Sequence, residues 1–461
     1  MKKAIIVGGG PAGLAAAYTL SRAKGLEVTL IDQGKRVEQR TREDAAYGIG
    51  GVGAFSDGKF IFDTIMGKRQ IGTNLSELGL DDKAYLIKAK DMFKQFYEPL
   101  HGKMKGPSKI KLANAIEIGT IAGRNDMDYI VAHDYHIGTD LLPRLIGTMQ
   151  EDLEKNGVKI ITGERVYDFE KGKVHTRYNG DKKSKEYTAD YILIAPGRDG
   201  SKWLEQTLEE KKIKHCTRPI DVGLRIEADY NVLRHLTEIE RDVKLEFRAP
   251  NGDMIRTFCV CPHGEVAKER KKPEFGGLDF CLVNGASSSV NLSPNTNFAL
   301  LVRMPLRGEG DNASWGRKIA ETYQQAGIDK IVLQRMGDLK QGRSSKPGKV
   351  SEWRVKPTLS EEDYMPGDHG IGMPYRILSD LIYGINKLSA PGLIEGLNQD
   401  STLLYGPEIK MHGIRISTNS YLESTSIPDI YFAGDGTGFS RGIGGAMASG
   451  IRAAEGIISK L

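Results

Sequence analysis

The sequence predicts an α/β protein in which a Rossmann-like domain, assembled from separated segments, carries an inserted α+β domain with a mostly antiparallel sheet. Three observations predict it. The chain opens with an apolar strand, a glycine turn, a helix and a second strand ending in an acid. Near its other end, an apolar strand runs directly into Gly434-Asp435 and a further helix. Between them, from about residue 215 to 395, the pattern changes to strands joined by long polar segments.

The opening unit is the most specific of the three. Ala4-Ile-Ile-Val7 leads without a gap into Gly8-Gly-Gly-Pro-Ala-Gly13, a helix follows over Leu14 to Leu20, and Val28-Thr-Leu-Ile31 leads into Asp32. In the spacing Gly8-x-Gly10-x-x-Gly13, the first glycine permits the tight turn and the second lets backbone approach a pyrophosphate. The third lets the helix sit close to the strand. The free amides at the helix start, around Pro11 and Ala12, favour an anion, and Asp32, followed by Gln33, can accept hydrogen bonds from ribose hydroxyls. A dinucleotide is the ligand this pattern implies.

Next comes a glycine-dense loop, Tyr47 to Lys59, whose Gly51, Gly53, Ser56 and Asp57 count among the expected cofactor contacts. Residues 81 to 100 read as a helix, with a helical insertion over about 68 to 125. Gly138-Thr-Asp140 starts another helix, capped by Thr139 or Asp140. Gly157 to Val166 and Tyr191 to Ile194 read as strands, the second ending in Ala195-Pro-Gly197-Arg198. Strands are expected at Asp221–Glu227, Val243–Phe247, Phe280–Val283 and Phe298–Arg303, and loops at Gly342–Pro357 and Pro366–Pro374. The expected division is 1–214 for the first part of the nucleotide-binding domain, 215–395 for a substrate or cap domain, and 396–461 for the closing part.

Composition narrows the function classes. A chain of 461 residues is long enough for two domains. With 65 basic and 60 acidic residues, a net charge of +5 implies no strongly basic face, so nucleic acid is not an expected partner. Lys268 to Lys272 reads as a solvated loop. The apolar run after Met1-Lys-Lys is a strand rather than a leader, no stretch approaches the length of a membrane span, and a cytoplasmic location is expected. Cys216, Cys259, Cys261 and Cys281 show neither a disulfide framework nor zinc spacing, so free thiols and no metal are expected.

Ile427 to Gly436, followed by the helix from Gly444 to Gly456, resembles the C-terminal signature of the large FAD-binding fold shared by glutathione reductase and p-hydroxybenzoate hydroxylase. The resemblance implies that Gly434, Asp435 and Gly436 meet the ribityl or pyrophosphate side. It also implies that the helix start at Ile443, Gly444, Gly445 and Ala446 faces the pyrimidine end of a flavin, where its dipole stabilises negative charge. Tyr191 to Arg198 resembles the mid-chain strand and turn of the same fold, with Ala195, Gly197 and Arg198 at the cofactor. The strand before it would clasp the adenine around Val166. FAD rather than NAD is therefore the expected resident cofactor.

Several longer strings resemble a narrower, poorly characterised group of bacterial and archaeal FAD-dependent dehydrogenases. They are Gly50 to Lys59, His136 to Asp140, Gly197 to Leu204, Asp221 to Glu227, Arg256 to Glu265, Val283 to Gly285 and Gly406 to Glu408. Here the chain departs from that pattern at Arg441, which puts a cation beside the presumed flavin.

No second glycine-rich dinucleotide unit occurs between residues 60 and 430, so electrons are expected to pass through a transient donor or acceptor, a protein partner, or a small-molecule substrate. Hydride transfer at the flavin N5 is the expected chemistry, with Lys59 or His263 as the residue that handles a proton. The resemblance implies a flavin-dependent dehydrogenase or reductase. A monooxygenase of the p-hydroxybenzoate type and a non-enzymatic flavoprotein acting as sensor or assembly partner are the other two readings.

Overall fold

The computed structural model describes the chain apart from residues 42–46, 56–58, 67–71, 105–108, 137–140, 179–182, 272–279, 287–291, 305–311, 328 and 411–413, and it describes the backbone only at residues 59, 65, 66, 109, 110, 134, 136, 271, 312, 313, 326 and 327. Five strands form a parallel sheet in the order Ile430–Phe432, Tyr191–Ile194, Lys2–Val7, Leu26–Asp32, Lys159–Thr162. Tyr191–Ile194 and the edge strand Ile430–Phe432 are apolar and buried throughout, as a sheet covered on both faces requires. The helix Pro11–Leu20 packs along the closing helix Ile443–Ile458 on this sheet, and both bury most of their residues.

A second sheet has nine strands, antiparallel except where Ile331–Arg335 runs parallel to Tyr364–Pro366. Ile220–Asp229, buried over all but its last residue, lies between Asn295–Met304 and Leu403–Lys410. This sheet crosses both boundaries expected from sequence. It takes Lys59–Met66 and Asp128–His136 from before residue 214, and Leu403–Lys410 from after residue 395. The helices Asp82–His101 and Lys109–Arg124 fall between the first two of these strands.

Three further differences have physical causes. The single strand expected at 158 to 166 is broken by Gly163 at φ +75°, so Lys159–Thr162 stays in the parallel sheet while Glu164–Glu170 joins a separate three-stranded sheet. The basic stretch from Lys268 is a strand as far as Lys271, paired with Phe280–Ala286, with Lys268 Nζ 2.8 Å from Asp363. The helix expected from residue 138 runs over Leu142–Lys155, and the proposed caps Thr139 and Asp140 lie outside the described residues. Among the described residues, no helix is long and apolar enough to cross a membrane.

His369, wholly buried, ties the large sheet to its covering helices. Its Nε2 bonds to the Leu404 carbonyl at 3.0 Å and its Nδ1 to the Tyr323 hydroxyl at 3.1 Å. Burial pushes its pKa down to about 4. A histidine whose folded pKa is depressed below the unfolded value contributes stability that is intact above about pH 6.5 and is lost as pH falls toward 4. Between pH 6.5 and 5 that loss is expected to reach about 2 kcal/mol, and His369→Gln is expected to remove this component from the pH dependence of the denaturation midpoint. An unchanged acid sensitivity in that variant would refute the assignment.

Candidate dinucleotide site

The first strand stops at Val7 and the chain turns at Gly8, whose φ of +102° and approach to the Ala195 carbonyl leave no place for a side chain: a Cβ would sit 2.2 Å from that oxygen. Gly10, in ordinary extended backbone at φ −71°, precedes the helix Pro11–Leu20 and offers no side-chain cap, so the first amides of the helix remain open to a ligand. A Cβ at Gly10 would meet no atom within 4 Å. Gly13 faces inward, where a Cβ would lie 1.9 Å from the Gly8 carbonyl oxygen.

Asp32 closes the second strand, and its carboxylate braces the turn. One oxygen accepts from the Gly9 amide at 2.7 Å and the other from the Gly34 amide at 2.8 Å. Burial raises its pKa, against the pull of those amides and of Arg40. The glycine-dense loop is seated on the same turn: Gly50 N donates to Gly9 O at 2.8 Å, and Arg40 donates to Ile49 O at 2.6 Å and Gly51 O at 3.0 Å.

From the far end of the chain, Gly434 N is held by Ser449 Oγ at 2.9 Å. Asp435 accepts from Ser440 Oγ at 2.6 Å and Gly442 N at 3.2 Å, and Arg198 Nε lies 3.3 Å from it. The closing helix then begins, again without a side-chain cap.

These parts bound a continuous cleft of about 190 Å³ that opens to solvent at its mouth. Of the residues expected at a cofactor, the walls include Gly8, Gly10, Pro11, Ala12, Asp32, Gln33, Gly51, Gly53, Val166, Ala195, Gly197, Arg198, Gly434, Asp435, Ile443 and Ala446. Gly13, Gly436, Gly444 and Gly445 do not line it. They are contact points between segments: Gly436 abuts the Gly197 carbonyl, Gly444 the Ile61 carbonyl and Gly445 the Gly72 carbonyl. Ser56 and Asp57 lie outside the described residues.

Sequence reasoning missed Tyr47, Glu164, Arg165, Asp199, Trp203 and Gly442 in the walls. Asp199 and Trp203 stood in the quoted string from Gly197. Glu164 gave no signal, since its role depends on the break at Gly163; its carboxylate is held by Thr176, Lys185 and Tyr187.

The expected proton-handling residues separate. Lys59 begins the strand whose Ile61 carbonyl touches the start of the closing helix, so its backbone is near the cleft's inner end. His263 is set apart from the cleft. It follows Pro262, opposite Thr296, at the end of its strand remote from Met254 and Arg303, with Nδ1 2.9 Å from the Ser293 carbonyl and its ring stacked 3.7 Å from Tyr230. Glu408, which ends the string quoted from Gly406, is a wholly buried strand residue. The thiol of Cys259 is pushed up by its hydrogen bond with Cys261 and by burial, which removes thiolate character.

Fold and cleft together define a Rossmann-type dinucleotide-binding α/β protein. Residues 6–52 match the family model described as NAD(P)-binding Rossmann-like domain. A relative from Clostridium beijerinckii (strain ATCC 51743 / NCIMB 8052), described only as an uncharacterized protein, is 25% identical over 99% of this chain and 80% of its own length. The solved pyridoxine 4-oxidase from Mesorbium loti aligns over 99% of both chains with 12% identity and a TM-score of 0.43, a likeness too weak to assign an activity.

Proposed function

We propose that the chain is an FAD-dependent oxidoreductase of the glutathione-reductase-like superfamily that exchanges a hydride with a small-molecule substrate. The observation that carries this reading is that one cleft is walled by both ends of the chain, with two uncapped helix starts, at Gly10 and Gly442, facing it. A nicotinamide dinucleotide needs the first helix start and the acid at Asp32. A ligand that also engages Asp435 and the closing helix is accounted for by a flavin dinucleotide.

The residues fit that group in parts. The open space beyond Gly10 suits a pyrophosphate approaching the helix-start amides from Ala12 onward, while the Asp32 lone pairs left over by the Gly9, Gly34 and Gly48 amides suit ribose hydroxyls. Backbone around Val166 lies on the adenine side, and Asp435 on the ribityl side. The amides after Gly442 place a positive dipole end at the pyrimidine end of the ring, favouring its anionic reduced state. When bound, FAD supplies two-electron transfer at its N5. The protein's part is to orient the ring, exclude water and place Lys59 within the same neighbourhood for a proton.

Calorimetry with FAD and NADH separately tests the assignment. Saturable FAD binding with weak or absent NADH binding is expected, together with a visible flavin spectrum. Tight NADH binding with no uptake of FAD would overturn it. NADPH oxidation stimulated by an aromatic substrate would redirect the reading to a monooxygenase.

A further inference from the structure

Arginines from five separate segments gather beside the loop that links Asp435 to the closing helix. They are Arg218, after the strand His215–Thr217; Arg256, on Met254–Pro262; Arg303, on Asn295–Met304; Arg415, on Ile414–Ile416; and Arg441, directly before Gly442. Among the described residues, two carboxylates answer them. Asp221, wholly buried, lies 2.6 Å from Arg256 Nη2 and 3.1 Å from Arg303 Nε. Glu77, half exposed, pairs with Arg218 and lies 3.6 Å from Arg415 Nη2.

The balance is cationic. Asp221 and Glu77 pair with four of the five guanidinium groups, so the arginines outnumber the carboxylates bonded to them in a largely buried region. Burial pushes the pKa of Arg441 down to about 10 despite Asp221, with Arg256, Arg303 and Arg218 adding repulsion; burial also lowers that of Arg415 to about 10. In addition, Arg218 Nε, Arg256 Nε and Arg303 Nη2 are buried without a hydrogen-bond partner among the described residues. A buried charged donor left unpaired is costly, so three of them on separate segments mark a place where an acceptor is wanted that the described residues do not supply.

The cluster adjoins the cleft. Arg415 Nη1 donates to Gly438 O at 2.8 Å, Asp435 holds Ser440 and Gly442, and Gly442 and Ile443 are cleft walls. We propose that Arg218, Arg256, Arg303 and Arg441 form the substrate subsite that seats an oxyanion, a carboxylate or a phosphate, next to the flavin end of the cleft. The guanidinium fork matches both groups in two-bond geometry, which lysine cannot reproduce. Asp221 is the positioning residue that spaces Arg256 and Arg303. This inference rests on the flavin reading for its location and extends it to the chemical class of the substrate.

The test titrates succinate, inorganic phosphate and neutral succinamide into FAD-loaded protein, following heat and the flavin absorbance, with FAD content measured on every sample. Wild type is expected to bind at least one of the anions saturably and to ignore succinamide. Arg303→Met and Arg441→Met are expected to weaken that binding by roughly ten- to a hundredfold with FAD content retained, and Arg441→Lys to recover only part of it. Preference for succinate assigns a carboxylic acid substrate, and preference for phosphate a phosphorylated one; either supports the site. Absence of anion binding in wild type, equal binding in the methionine variants, or equal binding of succinamide overturns it. The apo chain is titrated in parallel, so a protein that refuses FAD yet binds the anion refutes the flavin reading and keeps the arginine site.

Discussion

Gly10→Glu is expected to give a folded chain that stays colourless in the presence of FAD, whereas Gly13→Ala is expected to damage the fold itself. The two glycines share one motif but meet different neighbours. A Cβ at Gly10 meets no atom within 4 Å and needs no unusual backbone, so substitution there is expected to leave the folded state nearly untouched. Its carboxylate would instead occupy the space before the helix amides and repel a pyrophosphate. Such like-charge contacts cost several kcal/mol, so affinity is expected to fall at least a hundredfold.

At Gly13 the signs oppose each other. Glycine to alanine inside a helix ordinarily stabilises by about 1 kcal/mol. Here the new methyl would lie 1.9 Å from the Gly8 carbonyl oxygen, and separating strand from helix costs about 1–3 kcal/mol. The steric term wins, so a net loss of about 1–2 kcal/mol is expected in the denaturation midpoint. Absorbance of the purified variants and urea unfolding check both statements. A yellow Gly10→Glu protein, or a Gly13→Ala protein more stable than wild type, would show that the turn has been misread.

The second large effect is expected in the nine-stranded sheet. Arg225 and Glu408 are both wholly inaccessible and joined by two bonds, Nε to Oε2 at 2.8 Å and Nη2 to Oε1 at 3.1 Å. Burial penalises the Glu408 carboxylate, but Arg225 and Lys410 more than offset it and hold its pKa below the ordinary value. Arg225→Met deletes the main partner and leaves the carboxylate with Lys410, 2.9 Å away. Breaking a buried pair from one side costs about 3–5 kcal/mol, and the surviving lysine argues for the lower figure. Arg225→Met/Glu408→Gln is expected to regain more than half of it, because a neutral amide needs no counter-charge. Equal urea midpoints for wild type and Arg225→Met would contradict the pairing.

What could be read in the sequence follows the range of the interactions involved. The turn from Gly8 to Gly13 and the acid at Asp32 are specified within a few dozen residues, so spacing alone placed them, and the helix after Gly442 was legible for the same reason. The arginine cluster was not, since Arg218, Arg256, Arg303 and Arg441 meet only through the pairing of distant strands. Arg441 alone could be singled out, as a departure from a pattern. The partner of Glu408 was not legible either, because nothing local announces that Arg225 lies on the neighbouring strand. His263 looked close to the chemistry because a strand end has no visible direction until its partners are known.

The path of the backbone between the two sheets has a mechanical consequence. The polypeptide passes from one to the other four times, at residues 33–58, 137–158, 195–219 and 411–429. Four connections tether the halves, in place of the single joint of two domains strung in series. Neither body can therefore be excised as an uninterrupted stretch of gene.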